Sequence, residues 1–476
     1  MRRVLAVTTA TFLLAGCTAS GSPPGSTAPL PVRSSPTSTA TTPTTSPAPT
    51  ATPTAPHPTA GTDWPTYHGD AARSGVSTTM PAAGPLRLTH RLDLDGAVYA
   101  SPIVAAGITV VATEDDTVYA FDKQFHLLWK AHLGDPSPAS ERPCGNIDPL
   151  GITGTPVYDP GTGLVYVAPE YGGPPRHELL ALRLRTGAVA WHRPLDLPGV
   201  EDSAMQERGA LTTAGGRVWV PFGGLAGDCG GYKGRVIGYP LDGSAAPLSY
   251  TVPTAREAGI WTPPGPTVDA HGHLLVSVGN GASGSGDRYD HSDSVLELST
   301  SARLLDSFSP STWPSDNESD LDLGSQGPAL VGRWVFIAGK SGKAYVLRPG
   351  HLGGIGGEVS SATVCTSFGG TAVVRDVVYV PCTDGVRAVR VDSSGRLHVL
   401  WHADGSITGS PVVGGGRVWT LDPDAGVLHA LDPSNGRSVA QVGVGTTSHF
   451  ATPAISGANV LVPTLSGLAV VSAARR

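Results

Sequence analysis

One order of parts recurs along this chain, and it restricts the fold more than any other feature. Val98-Tyr-Ala-Ser-Pro-Ile-Val leads through Gly107 to Ile108-Thr-Val-Val-Ala-Thr, then through Asp115-Asp116 to Val118-Tyr-Ala-Phe-Asp. Three hundred residues later Ile407-Thr-Gly-Ser-Pro-Val-Val leads through Gly414 to Arg417-Val-Trp-Thr-Leu, then through Asp424-Ala-Gly to Val427-Leu-His-Ala-Leu-Asp. Short β-branched and aromatic runs separated by Gly and Asp turns read as antiparallel strands. The Pro stands where a strand begins and its nitrogen need not donate. A fourth, less regular strand follows each set, as at His126-Leu-Leu-Trp129. Further copies open at Gly154, Gly209, Gly265, Gly327, Gly370 and Ala451, which makes eight openings. They recur at roughly 52 residues, close to the period of a four-stranded propeller blade. The last copy, Thr452 to Ala473, has room for three strands only, while Leu86 to Leu94 is a strand without a blade. Placing that strand on the last blade closes the ring and removes two open sheet edges. The expected fold is all-β: an eight-bladed β-propeller of four-stranded antiparallel blades, closed by an N-terminal strand. A load of 62 Gly and 43 Pro with 15% charged residues excludes a coiled coil or helical bundle.

The first 62 residues are of other material. Arg2 and Arg3 precede an apolar run, Val4 to Gly16, that is too short to span a bilayer and reads as an export signal over 1–16. Leu14-Ala-Gly-Cys17 resembles the lipobox of bacterial lipoproteins. That resemblance implies cleavage before Cys17 and acylation of Cys17, hence a lipid anchor on the outer face of the bacterial cell membrane. Residues 17–62 are Ser, Thr, Pro, Ala and Gly almost throughout and bury too little to offset the entropy of ordering. They are expected to form a disordered stalk that carries the 63–476 propeller away from the membrane. The formal net charge of −7 argues against a nucleic-acid partner. A monomer is expected, with a protein, glycan or small molecule bound over a propeller face.

The repeat resembles the pyrroloquinoline-quinone (PQQ) repeat of quinoprotein propellers, through Ser-Pro-Ile-Val, Val-Tyr-Ala-Phe-Asp, Ala-Leu-Asp-Pro and Thr186-Gly187-Ala-Val-Ala-Trp191. Asp63-Trp64-Pro-Thr-Tyr-His-Gly-Asp70 looks like the lead-in that precedes such propellers. The superfamily holds dehydrogenases, the propeller lipoprotein of outer-membrane barrel assembly, and binding proteins without catalysis, so the fold alone does not select a function. Residues similar to those of quinoprotein alcohol dehydrogenases stand at Ile260-Trp261-Thr-Pro, Val278-Gly-Asn280-Gly, Asp316-Asn-Glu-Ser-Asp320-Leu-Asp322 and Ala338-Gly-Lys340. The resemblance implies that Trp261 stacks on PQQ, Asn280 and Asp320 bind calcium, Asp320 acts as base, and Lys340 contacts the quinone. Oxygen ligands suit calcium and a carboxylate can take an alcohol proton. Two departures stand against this set. Cys229, beside Asp228, occupies the place of a calcium-binding Glu, and Cys144 is single where the enzymes often carry two adjacent Cys. The preferred reading is therefore a ligand-binding or scaffold module without catalysis. A PQQ- and calcium-dependent alcohol or sugar dehydrogenase and an envelope-assembly scaffold remain as alternatives.

Besides Cys17 there are four cysteines, an even number that suggests disulfides in an exported chain. Cys365 precedes one inner strand and Cys382 ends the next, and a hairpin brings those ends together, so Cys365–Cys382 is expected. Cys144–Cys229 then joins neighbouring blades. Asp269-Ala-His271-Gly-His273 is read as a solvent-facing turn rather than a metal site. The charged segments Asp135 to Pro149, Ala282 to Ser292 and Trp313 to Ser325 are read as long loops that mark the functional face.

Overall fold

The computed structural model describes residues 63–196 and 198–474. The signal, Cys17 and the stalk lie outside the described residues. Blade 1 pairs Ile103–Ala105, Ile108–Ala112, Thr117–Phe121 and Leu127–His132 in sequence order. Blades 2 to 7 repeat this meander from inner strands at Val157–Asp159, Thr212–Ala214, Thr267–Val268, Ala329–Val331, Ala372–Val374 and Val412–Gly414. Blade 8 holds Ala454–Ser456, Asn459–Thr464 and Gly467–Ser472, and its outer strand is Arg87–Asp93, antiparallel to Gly467–Ser472. The N-terminal strand thus closes the ring as expected.

Burial explains the sequence pattern. Ile108–Ala112 and Thr117–Phe121 are buried at every position, because both sheet faces pack on neighbouring blades. The outer strand Leu127–His132 alternates between exposed and half-buried, the period of a strand with one wet face. Outer-strand tryptophans lock adjacent blades. Trp129 Nε1 donates to the Leu184 carbonyl at 2.9 Å and Trp401 Nε1 to the Pro433 carbonyl at 2.9 Å. Each ring lies on a turn glycine of the next blade. At Gly187 (φ 71°) and Gly436 (φ 75°) a Cβ would stand 2.5 Å from the indole, so both the backbone conformation and the close approach require glycine. The Thr186-Gly187 element of the repeat is thus one half of an interblade contact.

The lead-in occupies the inside of the ring. Trp64 exchanges backbone hydrogen bonds with Val104 of blade 1; Pro65, Ala71, Ser74 and Gly75 accept from Tyr158, Val268, Val373 and Val413 of blades 2, 4, 6 and 7. His68 bonds Thr371 and Thr452, which open blades 6 and 8. Burial pushes the His68 imidazole down to about 3, so it plugs the channel as a neutral group. Arg73 reaches Thr66 Oγ1, the Tyr67 carbonyl and the Leu211 carbonyl of blade 3. Both expected disulfides are present, Cys144–Cys229 and Cys365–Cys382. The segment read as a loop from Trp313 contains a short α-helix, Trp313–Glu318, which Pro314 favours in its first turn. Among the described residues no helix is long and apolar enough to cross a membrane.

Candidate functional site

Connections between blades, and between second and third strands, form one face of the ring; tight hairpins form the other. A cavity of about 200 Å³ opens on the first face, with Trp261, Asn280, Lys340, Arg208, Asp228 and Phe450 in its wall. Gly223 and Gly224 end a strand of blade 3 against Trp261 and Tyr232, where a Cβ would come within 2.6 Å of either side chain. The cavity wall is therefore built by close backbone approach. Tyr232 donates to Asp228 Oδ1 at 2.5 Å. The Cys144–Cys229 bridge pins the 133–156 connection beside it, and Gly145 donates to the Ala226 carbonyl.

Three of the four sequence-identified residues, Trp261, Asn280 and Lys340, line this cavity, and Asp320 joins them through Lys340. The Lys340 ammonium pairs with Asp320 Oδ1 and lies 2.9 Å from Asp322 Oδ2. Asp322 is fully buried, whereas Asp320 is 64% exposed, so Asp322 is the acid that depends on this cation. The Asn280 side-chain amide stands 3.2 Å from Asp322 Oδ2 and from Asp320 Oδ1, and with its nitrogen turned towards the acids it donates to both. Burial works against the Lys340 charge, but the Asp322 charge and the bonds to both acids outweigh it and raise Lys340 above its ordinary value. Burial, countered in part by Lys340, raises Asp322. Behind it Asp293 is raised well above its ordinary value by burial and by the Asp322 charge. Lys340 Nζ also stands 5.7 Å from the centre of the Trp261 ring, which meets Phe450 edge-on at 6.0 Å.

This arrangement does not fit the calcium that the resemblance implies. The acids already carry the Lys340 ammonium. Cys229, at the position of the missing Glu, is committed to its disulfide. A dication there would have to displace Lys340 from two carboxylates. No redox step follows from these residues.

Arg208 was not singled out in the sequence. Its guanidinium lies over Phe450, 4.3 Å from the ring centre. Burial lowers it to about 10, with Glu114 the leading opposing charge. Its Nε has no hydrogen-bond partner, and no carboxylate pairs with it among the described residues. Burial raises the nearby acids: Glu114 to about 7, despite bonds from the Gly151 nitrogen and Thr153, and Glu207 well above its ordinary value. His177 is the charged member of this layer. Burial opposes its protonation, but bonds to Asp196 and Glu170 lift it to about 10. A signal for Arg208 existed. Tyr99, Arg208, Phe368 and Phe450 are large residues standing directly before the small residues that open a blade, and at that position the chain turns over the channel mouth. Asp322, given no role of its own in the sequence, is the buried partner of Lys340.

Comparison with known proteins agrees with this architecture. Residues 79–224 match the family model described as outer membrane protein assembly factor BamB. No curated protein sequence matches. Among solved structures, quinohemoprotein alcohol dehydrogenase from Comamonas testosteroni is similar at TM-score 0.63 and 17% identity, over 87% of this chain and 81% of that one. BamB from Moraxella catarrhalis is similar at TM-score 0.56 and 17% identity, over 82% of this chain and 98% of that one. The computationally designed Ika8 protein follows at 0.53 and 13%, over 80% and 98%. At these identities the likeness shows the fold. The resemblance to PQQ-repeat propellers holds for the eight-bladed ring.

Proposed function

We propose that this chain is an extracytoplasmic binding module, anchored through acylated Cys17, whose propeller holds a ligand in the loop-face cavity without oxidising it. The carrying observation is the Lys340 ammonium seated on Asp322 and Asp320. It neutralises the acids that a quinoprotein site would use for calcium and for proton abstraction. Two disulfides suit the oxidising compartment that an exported chain meets. The cavity favours a compact ligand with an acidic group and a flat apolar body. Arg208 offers an unpaired guanidinium to the acid, and Trp261 and Phe450 offer ring surface to the body.

A second reading, a PQQ-dependent alcohol or sugar dehydrogenase, draws support from the meeting of Trp261, Asn280, Asp320 and Lys340 at one cavity. A third, a scaffold in envelope assembly, draws support from the BamB family match over 79–224. One experiment separates catalysis from binding. The full-length protein is supplied with PQQ, calcium, alcohols or sugars and an artificial electron acceptor, and benzoate and naphthoate are titrated by calorimetry. The expected result is no turnover, with one aromatic carboxylate bound per chain and lost in Arg208→Met. Turnover that disappears in Asp320→Ala would establish the dehydrogenase instead. Absence of carboxylate binding, together with a stable protein partner recovered from membranes, would favour the scaffold.

A further inference from the structure

The hairpin face, opposite the cavity, carries a second constellation. Asp269 opens the turn between Thr267–Val268 and Leu274–Val278 of blade 4, and its Oδ1 accepts from the backbone nitrogens of His271 and His273, both at 2.8 Å. Two other hairpins use the same device. Asp122 Oδ1 takes Gln124 and His126, and Asp392 Oδ1 takes Ser394 and Arg396. In both, the second carboxylate oxygen then takes a histidine ring, His126 at 3.2 Å and His398 at 2.9 Å. Asp269 departs from this pattern. The His273 ring turns its Nδ1 to Glu297 Oε1 at 2.7 Å, and Asp269 Oδ2 is left 3.7 Å away, buried and without a hydrogen bond.

Glu297 makes the difference. It is the penultimate residue of Ser294–Leu298, 2% exposed, and its Oε2 accepts from Gly350 of blade 5 at 2.8 Å. Two buried carboxylates therefore share one imidazole, and one carboxylate oxygen aims at the same point with no donor. Leaving a buried carboxylate oxygen unpaired is costly, and a cation is the group that would satisfy it. One imidazole nitrogen and one oxygen from each acid lie within 4.8 Å of one another. Tetrahedral ligands at zinc bond lengths stand about 3.3 Å apart, inside the 2.7 to 3.7 Å spread of the His273 contacts.

We infer that Asp269, His273 and Glu297 form a binding site for a divalent transition-metal ion of the zinc type. The imidazole donor selects against calcium and magnesium, which prefer all-oxygen shells. His271 is exposed, with its ring 5.9 Å from that of His273. The ion would clamp the blade 4 hairpin to the third strand of that blade and, through Glu297 and Gly350, to blade 5. The role is structural and is independent of the loop-face cavity.

The test uses untagged full-length protein stripped with a chelator. Calorimetry with Zn²⁺ is expected to give one tight site per chain, and Zn²⁺ is expected to raise the melting temperature. Asp269→Asn and Glu297→Gln should each weaken binding beyond the roughly 10- to 100-fold that loss of an outer partner costs. His126→Ala should bind as the parent does. Co²⁺ loading provides a second readout that does not depend on stability: its visible absorption should change in His273→Asn. No stoichiometric binding, or binding kept in both carboxylate variants, overturns the proposal, as does binding lost equally in His126→Ala.

Discussion

Two buried arginines separate the plugged interior of the ring from its loop face. Arg73 and Arg208 are both desolvated, and burial lowers both to about 10. Arg73 spends its guanidinium on Thr66, Tyr67 and Leu211, so its charge is dispersed over fixed oxygens of the lead-in and blade 3. The Nε of both is without a partner, but Arg208 faces a cavity, with an aromatic ring beneath it and, unlike Arg73, no hydrogen bond from its terminal nitrogens among the described residues. Burial by itself therefore does not distinguish a structural charge from a binding one. The partner list does. A cation whose donors are used holds the fold together, and one whose donors are unused is available to a ligand, at a desolvation cost that the rest of the fold must carry.

The largest effect should come from the used cation. Arg73→Met strips a charged donor from three buried acceptors and should destabilise the protein by about 3–5 kcal/mol. Urea melts would measure this, and a loss under about 1 kcal/mol would erase the distinction drawn between the two arginines. Lys340 lies between the extremes, since it faces the cavity but its charge is used. Lys340→Met leaves Asp322 buried without its cation, at a cost of about 2–4 kcal/mol. The same change frees Asn280, Asp320 and Asp322 as oxygen donors. Calcium should then stabilise the variant and leave the parent unchanged. Equal calcium stabilisation of both proteins would mean that Lys340 does not hold the site against a metal.

Much of this was readable in the chain, and the reasons are local. Blade openings show because a Pro or small residue must stand where an inner strand begins, and the turn glycines show because Trp129 and Trp401 leave no room for a side chain. Leu86 to Leu94 could be assigned because the last copy lacked a strand, and Arg87–Asp93 fills that place. Cys365–Cys382 followed from a hairpin. The chemistry was harder to read because it depends on residues that the ring, not the repeat, brings together. Asp322 looks like any turn acid until its burial is known, and the 313–318 helix hides in a Ser/Asp-rich segment that also suits a loop. Glu297 reads as one more polar residue of a strand, so the Asp269 hairpin passed for an ordinary turn. The path of the lead-in through the channel has no sequence signature, since Pro65, Ala71, Ser74 and Gly75 act through backbone groups.

The smallest effect on stability, and the one that separates the two regions most sharply, concerns Arg208 and pH. Glu114 has a folded-state value of about 7 against an ordinary value of 4.5, and Arg208 is among the groups that hold it down. An acid raised on folding binds more protons in the folded state, so its contribution to stability falls as pH rises from about 4.5 through 7. Arg208→Met removes an opposing charge, which raises Glu114 further and extends that decline to higher pH. Near pH 5.5 Glu114 is protonated in the folded state with or without Arg208, so its share of the deficit vanishes there, and His449, which Arg208 also holds down, favours the variant at low pH. At pH 8 it should be weaker by about 1 kcal/mol, the worth of somewhat less than one pH unit. Arg73 is bonded to a hydroxyl and two carbonyls, has Asp70 as the leading charge that supports it and does not act on Glu114, so the Arg73→Met deficit should lack the Glu114 pH dependence. Paired urea melts of the two variants at pH 5.5 and pH 8 check this. A pH-independent deficit at Arg208 as large as that at Arg73 would make Arg208 a structural cation and remove the basis for acid recognition in the cavity.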